Sequence, residues 1–480
     1  MASSTLAGPR VEASSRHLWL VAAFGLLGCA CAAGYALALH EIQALYVGLA
    51  AVACIAILFD YRIGAILLAL LLPISSTAFF PHALMGMTGL NPMNVLLVGT
   101  LAAYVLHGRL EHPGPLMPRP VLWLYLVPIV LAGVLGLTHF DDILPAFFDL
   151  IIVPFTTPFG YFTVTVMKPL LLVLMALLVG AAVATARKPE GFVVAVAVGA
   201  CALALLEIGF VIASGIRLGV LASPRGRAFF TELGAHANDL GRVFVTTYAL
   251  LLFAWWETKH AQARLALFVA LAILCFGILF TFSRNAFLGF FVVNALFVVW
   301  KFNLKKLGLA LLGFAVAIAL APGYVYRRIQ YGFDSGSVDT VSAGRVEGLW
   351  LSLLPETLKS PLWGSGLDSI MWSEPMVIGA MGFAGHPHNA YLQAMLDMGL
   401  IGLGLLLAYY WHVWKGFSAL GSNPYLTPFM RGFFQGACAA LIAFAVACMS
   451  GGSLRPHPDN VVLWLAIGVM YGLLARRPAS

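Results

Sequence analysis

Apolar runs of about 20 residues alternate with short polar loops along the whole chain. A helix rises 1.5 Å per residue, so runs of this length match the roughly 30 Å hydrocarbon layer of a bilayer. The pattern predicts about fourteen spans, at 18–39, 44–59, 63–80, 93–107, 121–138, 169–186, 191–214, 241–256, 264–282, 285–300, 306–322, 391–411, 428–449 and 460–475. A membrane barrel would show shorter segments with strict apolar–polar alternation, and this chain does not. The expectation is an all-α polytopic membrane protein of about 12–14 transmembrane helices, a single integral domain over 1–480. No cleavage site follows the first run, so it reads as a retained helix.

Three longer polar segments interrupt the pattern, at about 139–168, 215–240 and 323–390. In the last, Val346, Leu349, Trp350, Leu353 and Leu354 recur at helical spacing. That predicts an amphipathic helix lying on the membrane surface. Gly364 and Gly366 of WGSG then predict a turn. With no strand before it, this glycine pair is not a nucleotide-binding fingerprint.

Composition agrees with the pattern: 61% of residues are hydrophobic and 10% charged, against roughly 25% charged in soluble domains. All seven cysteines fall inside apolar runs and read as small buried hydrophobes. The net charge of +7 calls for no nucleic-acid partner, because basic residues of membrane proteins chiefly set orientation. With the N-terminus inside, most lysines fall in inner loops, and only Lys168 and Lys359 come out on the outer side. Arg476 and Arg477 return the C-terminus to the inside. The outer side then carries Arg217, Arg225, Arg227, Arg242, Arg284, Arg327, Arg328, Arg345 and Arg455. Topology alone would deplete arginine there, and its planar fork suits phosphate, so the excess points to an anionic ligand. Pairing with Asp334, Asp339 or Glu347, or with lipid headgroups, is the competing explanation for any single arginine.

Candidate chemistry gathers on that side. His386 and His388 flank Pro387, and Asn389 follows at the start of the span 391–411. A metal would need a third ligand that the sequence does not fix. A general base suits a histidine, which titrates near neutral pH. Asp397 lies about 2.5 turns and roughly 13 Å further along a continuous helix, on its opposite side, and reads as a structural hydrogen-bonding group. The run from Leu265 to Trp300 is too long for one crossing and must fold back near Ser283 and Arg284, with Asn285 beside them. The stretch before the span 241–256 offers Arg225, Arg227, His236, Asn238 and Arg242 near a helix start, where free N–H groups favour anions. The loop SGGSLRPHPDN, with Arg455 and His457, reads first as an ordinary turn. Arginines that hold a leaving phosphate, beside a base that deprotonates an attacking hydroxyl, would suit transfer from a lipid-linked phosphate.

On these residues the chain resembles the O-antigen ligase and O-antigen polymerase superfamily of bacterial envelopes, which includes protein O-oligosaccharyltransferases. His388, Asn389, Gly399 and Gly402 meet its spacing of His-Asn, nine residues, Gly, two residues, Gly. Arg284 and Leu288 match its Arg-x-x-x-Leu, a pattern that Arg345 and Leu349 also fit. Asn238 to Gly241, and Gly344, Arg345 and Trp350, match further features, so the likeness covers about 220–475. The resemblance implies a helical glycosyltransferase of the C type, inverting and independent of metal or other cofactors. It implies an undecaprenyl-pyrophosphate-linked glycan donor and an acceptor that is lipid A–core, a second lipid-linked glycan or a protein hydroxyl. It implies His388 as the base, Arg284 as the essential arginine, and Arg225, Arg227 and Arg345 as further pyrophosphate ligands, supported by His386, Asn389, Asn238 and Arg242. The site would face the periplasm from a bacterial inner membrane, with both termini cytoplasmic. The span count exceeds the usual number of about twelve, and Asp397 stands where many members have Glu. A transporter or flippase of lipid-linked sugars is the rival, and would place charges deep in the bundle rather than at its mouth.

Overall fold

The computed structural model describes residues 42–476, apart from 85–86, 112–113, 151 and most of 303–343. The expected spans 18–39 and 306–322, with Arg327 and Arg328, lie outside the described residues.

The remaining apolar runs are helices: α1 (Ile42–Phe59), α2 (Tyr61–Leu71), α3 (Pro92–Ala103), α4 (Val127–Leu137), α5 (Pro158–Thr185), α6 (Glu190–Ser214), α7 (Ala237–Glu257), α8 (Ala261–Phe280), α9 (Arg284–Lys301), α10 (Ala390–Gly421), α11 (Pro428–Ala447) and α12 (Val461–Ala475). Strand structure among the described residues is one short antiparallel pair, β1 (Ala83–Leu84) with β2 (Met87–Thr88). Seven of the described helices are long and apolar enough to cross a membrane. The chain is an all-α polytopic membrane protein.

The short early helices differ from expectation. The span read at 63–80 is helical only to Leu71, and turns follow. Leu72 still has helical angles (φ −57°, ψ −41°), and the α-helical bond that would follow is missing because Pro73 has no N–H to donate. π-helical turns at Tyr104–Gly108 and Val121–Leu126 interrupt the third and fourth apolar runs.

Helix α7 is the buried axis of the bundle. It opens with Asp239 and Arg242 in its first two turns and is covered along most of its length. The closest-packed pairs are α7 with α11 and α5 with α12. Small residues permit this approach: a Cβ at Gly468 of α12 would lie 2.0 Å from the Ala176 carbonyl oxygen of α5. In lipid, where apolar side chains gain little by leaving solvent, such close contact is what binds helices together.

Helix α10 carries the decisive irregularity. Gly399 has φ 63° and ψ −169°, a conformation essentially confined to glycine, and it breaks the helix there. Backbone groups freed by the break bond to the loop before the helix. Ser365 N donates to Leu396 O (2.8 Å), Gly366 N to Asp397 O (3.0 Å), and Leu400 N to Pro361 O (2.8 Å). The loop lies so close that a Cβ on Gly399 would fall 2.3 Å from the Leu362 carbonyl carbon. The WGSG segment is therefore a turn, as expected, and its partner is the broken helix.

The expected amphipathic helix is present as a π turn (Val346–Trp350) continued by Leu351–Leu353. Leu349 and Leu353 are buried, Leu353 in a second core with Phe147, Tyr161, Ile370, Leu392 and Leu396. Leu351, Leu354 and Leu358 stay exposed on the other side. One face is thus clamped to protein, and the expected helix runs on from its π turn into an α turn without a break.

Candidate active site

The segment His386–Asn389 is built by backbone geometry. Asn389 caps α10: its Oδ1 accepts from Tyr391 N (3.1 Å) and Leu392 N (3.2 Å). That satisfies two of the N–H groups left over at a helix start. Ala390 N donates to Cys448 O (2.9 Å), and the Tyr391 hydroxyl to Ala445 O (2.8 Å), which ties this start to the end of α11. His388 takes a positive φ of 54°. Its N–H donates to His386 Nδ1 at 3.3 Å, and the two rings sit 4.0 Å apart at 73°. The Trp350 indole donates to Pro387 O (2.8 Å), so the amphipathic segment grips the turn from the side.

An accepting Nδ1 places the His386 proton on Nε2, the neutral tautomer. Crowding by protein mass lowers the His386 pKa, and the Arg345 charge lowers it further. Asp368 opposes that shift. His386, though exposed at the surface, is thus biased toward its neutral form and accepts the His388 N–H.

Four other segments meet this turn. Ser283 caps α9, its Oγ accepting from Ala286 N (3.2 Å) while donating to Asn238 Oδ1 (2.6 Å). That bond joins the starts of α7 and α9, and sets half-buried Arg284 beside it. Asn285, buried, donates from Nδ2 to Ala447 O and Ser450 Oγ, both at 3.1 Å. Arg345 donates from Nη1 to Ser450 O (2.7 Å). The loop 450–460 is thus the hub on which Asn285 and Arg345 converge.

That hub is held by charge. Arg242, with 10% of its side chain exposed, pairs with Asp239 (2.6 Å) and with fully buried Asp459 (2.5 Å). His457 Nδ1 lies 2.9 Å from Asp459 Oδ1. The surrounding protein disfavours charge on His457, but the Asp459 carboxylate outweighs it and raises the pKa, with about half of the His457 side chain (48%) open to solvent. Arg455 pairs with Asp368, whose Oδ1 also accepts from Gln393 Nε2 (3.1 Å). Although burial opposes it, the nearby Asp368 and Asp397 raise the Arg455 pKa. The Tyr125 and Tyr410 hydroxyls both donate to Leu454 O, and Asn460 Nδ2 donates to Arg455 O (2.9 Å), which fixes the loop backbone.

Of the residues singled out in the sequence, His386, His388, Asn389, Asn238, Arg242, Arg284 and Arg345 thus belong to one connected constellation. Arg225 and Arg227 lie on the short 3-10 helix Pro224–Thr231, and their side chains lie outside the described ones. Arg242 is engaged by two carboxylates, the position of a scaffold rather than a ligand. Asp397 makes the structural bonds expected, accepting from Ser369 N and Oγ at 3.2 Å each. The loop read as an ordinary turn is the hub, and its pairings with Asp239, Asp368, Gln393 and Asp459 carry no signal of their own in the sequence. One local signal existed: in Arg455-Pro-His457-Pro-Asp459, prolines force an extended backbone between three polar residues. Among the described residues no cluster of three or more His, Cys, Asp or Glu has the arrangement of a metal site.

The arrangement can do two things. It offers a histidine pair at a helix start, with the Arg345 charge near enough to act on His386, and it links that turn through residues 447–450 to the start of the helix that carries Arg284. A family model described as O-Antigen ligase matches residues 269–407, a segment that contains Arg284, Arg345, His388, Asn389 and Gly399. The match supports the O-antigen ligase and polymerase superfamily and glycan transfer of that type. No curated protein matches the chain.

Proposed function

We propose, for a chain that carries an O-antigen ligase segment at residues 269–407, transfer of a glycan from undecaprenyl pyrophosphate to an acceptor hydroxyl on the periplasmic face of a bacterial inner membrane. The observation that supports this reading is the hydrogen-bonded link of the His386–Asn389 turn to residues 447–450, to which Asn285, next to Arg284, and Arg345 also bond.

In this reading His388 removes the proton from the acceptor hydroxyl. The oxygen attacks the anomeric carbon from the side opposite the leaving group, the glycosidic C–O bond to phosphate breaks, and the configuration inverts. Negative charge grows on the departing pyrophosphate, so groups fixed in advance around it lower the barrier. Arg284 and Arg345 take that role, with Arg225 and Arg227 as further ligands. His386 acts through His388 by accepting its N–H. Asn389, Asn238 and Arg242 hold the frame. The acceptor is lipid A–core for a ligase, or a second lipid-linked glycan for a polymerase. A Ser or Thr of a protein would make the enzyme an oligosaccharyltransferase.

The test uses purified full-length protein with a lipid-linked glycan, with and without lipid A–core. Transfer onto lipid A–core marks a ligase, and a ladder of longer glycans without it marks a polymerase. General-base catalysis contributes about 10²–10⁴-fold, so His388→Ala is expected to lose at least about a hundredfold in rate. Undiminished transfer by that variant removes His388 from its role. A wild type that moves the donor across vesicles without consuming it would overturn the reading in favour of a transporter.

A further inference from the structure

A cavity of about 570 Å³ lies beside the site described above, lined by His139, Glu356, Lys359, Ser360, Ser365, Ser369, Trp372 and Glu374 among others. Its size falls within the ~300–1,000 Å³ typical of small-ligand pockets. We propose that this cavity is a saccharide subsite that binds sugar units of a glycan substrate away from the reacting atoms. The proposal rests on the transferase reading for the identity of that glycan, but the binding itself does not.

The lining has the chemistry of a carbohydrate site. His139 stacks on Trp372 with ring centroids 5.5 Å apart and planes at 15°, and the outer face of such a pair suits the apolar C–H side of a pyranose. Four serines and two glutamates bring donors and acceptors for ring hydroxyls. Ser369 and Ser373 hydroxyls are already bonded, to Asp397 and to Ile370 O. The Ser360 and Ser365 hydroxyls have no partner among the described residues.

Charge selects the part of the substrate. Lys359 pairs with both Glu356 (2.8 Å) and Glu374 (2.6 Å), and His139 with Asp142 (2.8 Å). Two carboxylates against one ammonium leave the cavity acidic. A diphosphate would be repelled, and a neutral or amino sugar would not be. The arginine-rich constellation has the opposite balance. The two places are served by adjacent residues: Ser369 lines the cavity, and Asp368 holds Arg455. A glycan bound across that wall would lend remote binding energy to the reaction.

Two variants test this in the full-length protein. Ser360→Trp fills the cavity, and His139→Ala removes one ring of the stacked pair. The probes are free oligosaccharides released by mild acid, one from the lipid-linked donor and one from lipid A–core. Wild type is expected to bind one of them, and each folded variant to bind it at least about tenfold more weakly, or about 1.4 kcal/mol. Which oligosaccharide binds identifies donor or acceptor as the source, and the same substrate should show the raised KM, with kcat within about twofold. Equal binding by the folded variants, or no binding of either probe by wild type, overturns the subsite. A wild type that binds but never transfers overturns the transferase reading and leaves the subsite standing. Thermal unfolding of each variant, compared with wild type, shows which are folded.

Discussion

The two loops that meet at His388 are held by opposite means. The turn His386–Asn389 is shaped by backbone: a helix cap, a positive φ at His388, and an indole on the Pro387 carbonyl. The loop 450–460 is shaped by buried charge: Asp459 against Arg242, and Arg455 against Asp368. The first kind of restraint is a sum of modest local bonds. The second is all-or-none, because a buried charge left without its partner is far more costly than a lost neutral hydrogen bond. The turn that presents the proposed base is thus the softer side, and the loop behind it the stiffer.

That contrast can be broken at several points. The largest effect is expected from Arg242→Met, which leaves buried Asp459 with His457 as its remaining partner and should cost up to about 3–5 kcal/mol of stability. Adding Asp459→Leu should restore much of the loss, as read by thermal unfolding in detergent. If the single variant melts like wild type, the hub is not held by charge.

Gly399→Ala comes next. Its left-handed backbone alone costs about 1–3 kcal/mol for a side chain, and the added Cβ also meets the Leu362 backbone at 2.3 Å. Reduced stability and increased proteolysis of the 361–366 loop are expected. Proteolysis unchanged from wild type would mean that the loop does not depend on the break in α10.

Asn389→Ala should cost about 1 kcal/mol, the usual value of an N-cap. Asn389→Asp should keep most of it, since a carboxylate accepts the same two N–H groups. Equal loss in both variants would show that the side chain acts on substrate rather than on the helix.

The smallest effect is a pH dependence. The folded state raises the His457 pKa, so it binds the proton more tightly than the unfolded chain does. The resulting stabilisation is complete below pH about 6.5 and is lost as pH rises through the raised folded value. Asp459, Asp239 and Arg242 are the charges that act on His457. His386, with a lowered pKa, acts in the opposite direction. His457→Asn should therefore remove a decline in melting temperature above pH 6.5, and an unchanged pH profile would dissociate His457 from Asp459.

Much of this was legible in the chain. Each apolar run over the described residues became a helix, because a backbone in lipid must satisfy its hydrogen bonds internally. Asn389 at a helix start and Ser283 before Arg284 carry local capping signals, and both caps are present. The run from Leu265 to Trp300 turned back where the polar residues stand. The reading of α2 failed because Pro73 was given too little weight against a continuous apolar composition. The amphipathic segment was found but placed as a surface helix, since spacing shows that a face is apolar and not what covers it.

The sequence by itself determined the helices, their apolar faces, and which polar residues stand at their ends. Only the tertiary structure decided which charges meet. Arg242 lies on α7 and Asp459 in the loop before α12, and Asp368 and Arg455 are 87 residues apart. Pairing at that range follows from how helices stack, which small residues such as Gly468 permit, and leaves no periodic trace in the sequence. The same holds for Gly399: its place in a spacing was visible, but its purpose appears only where the 361–366 loop takes up the hydrogen bonds that the broken helix releases.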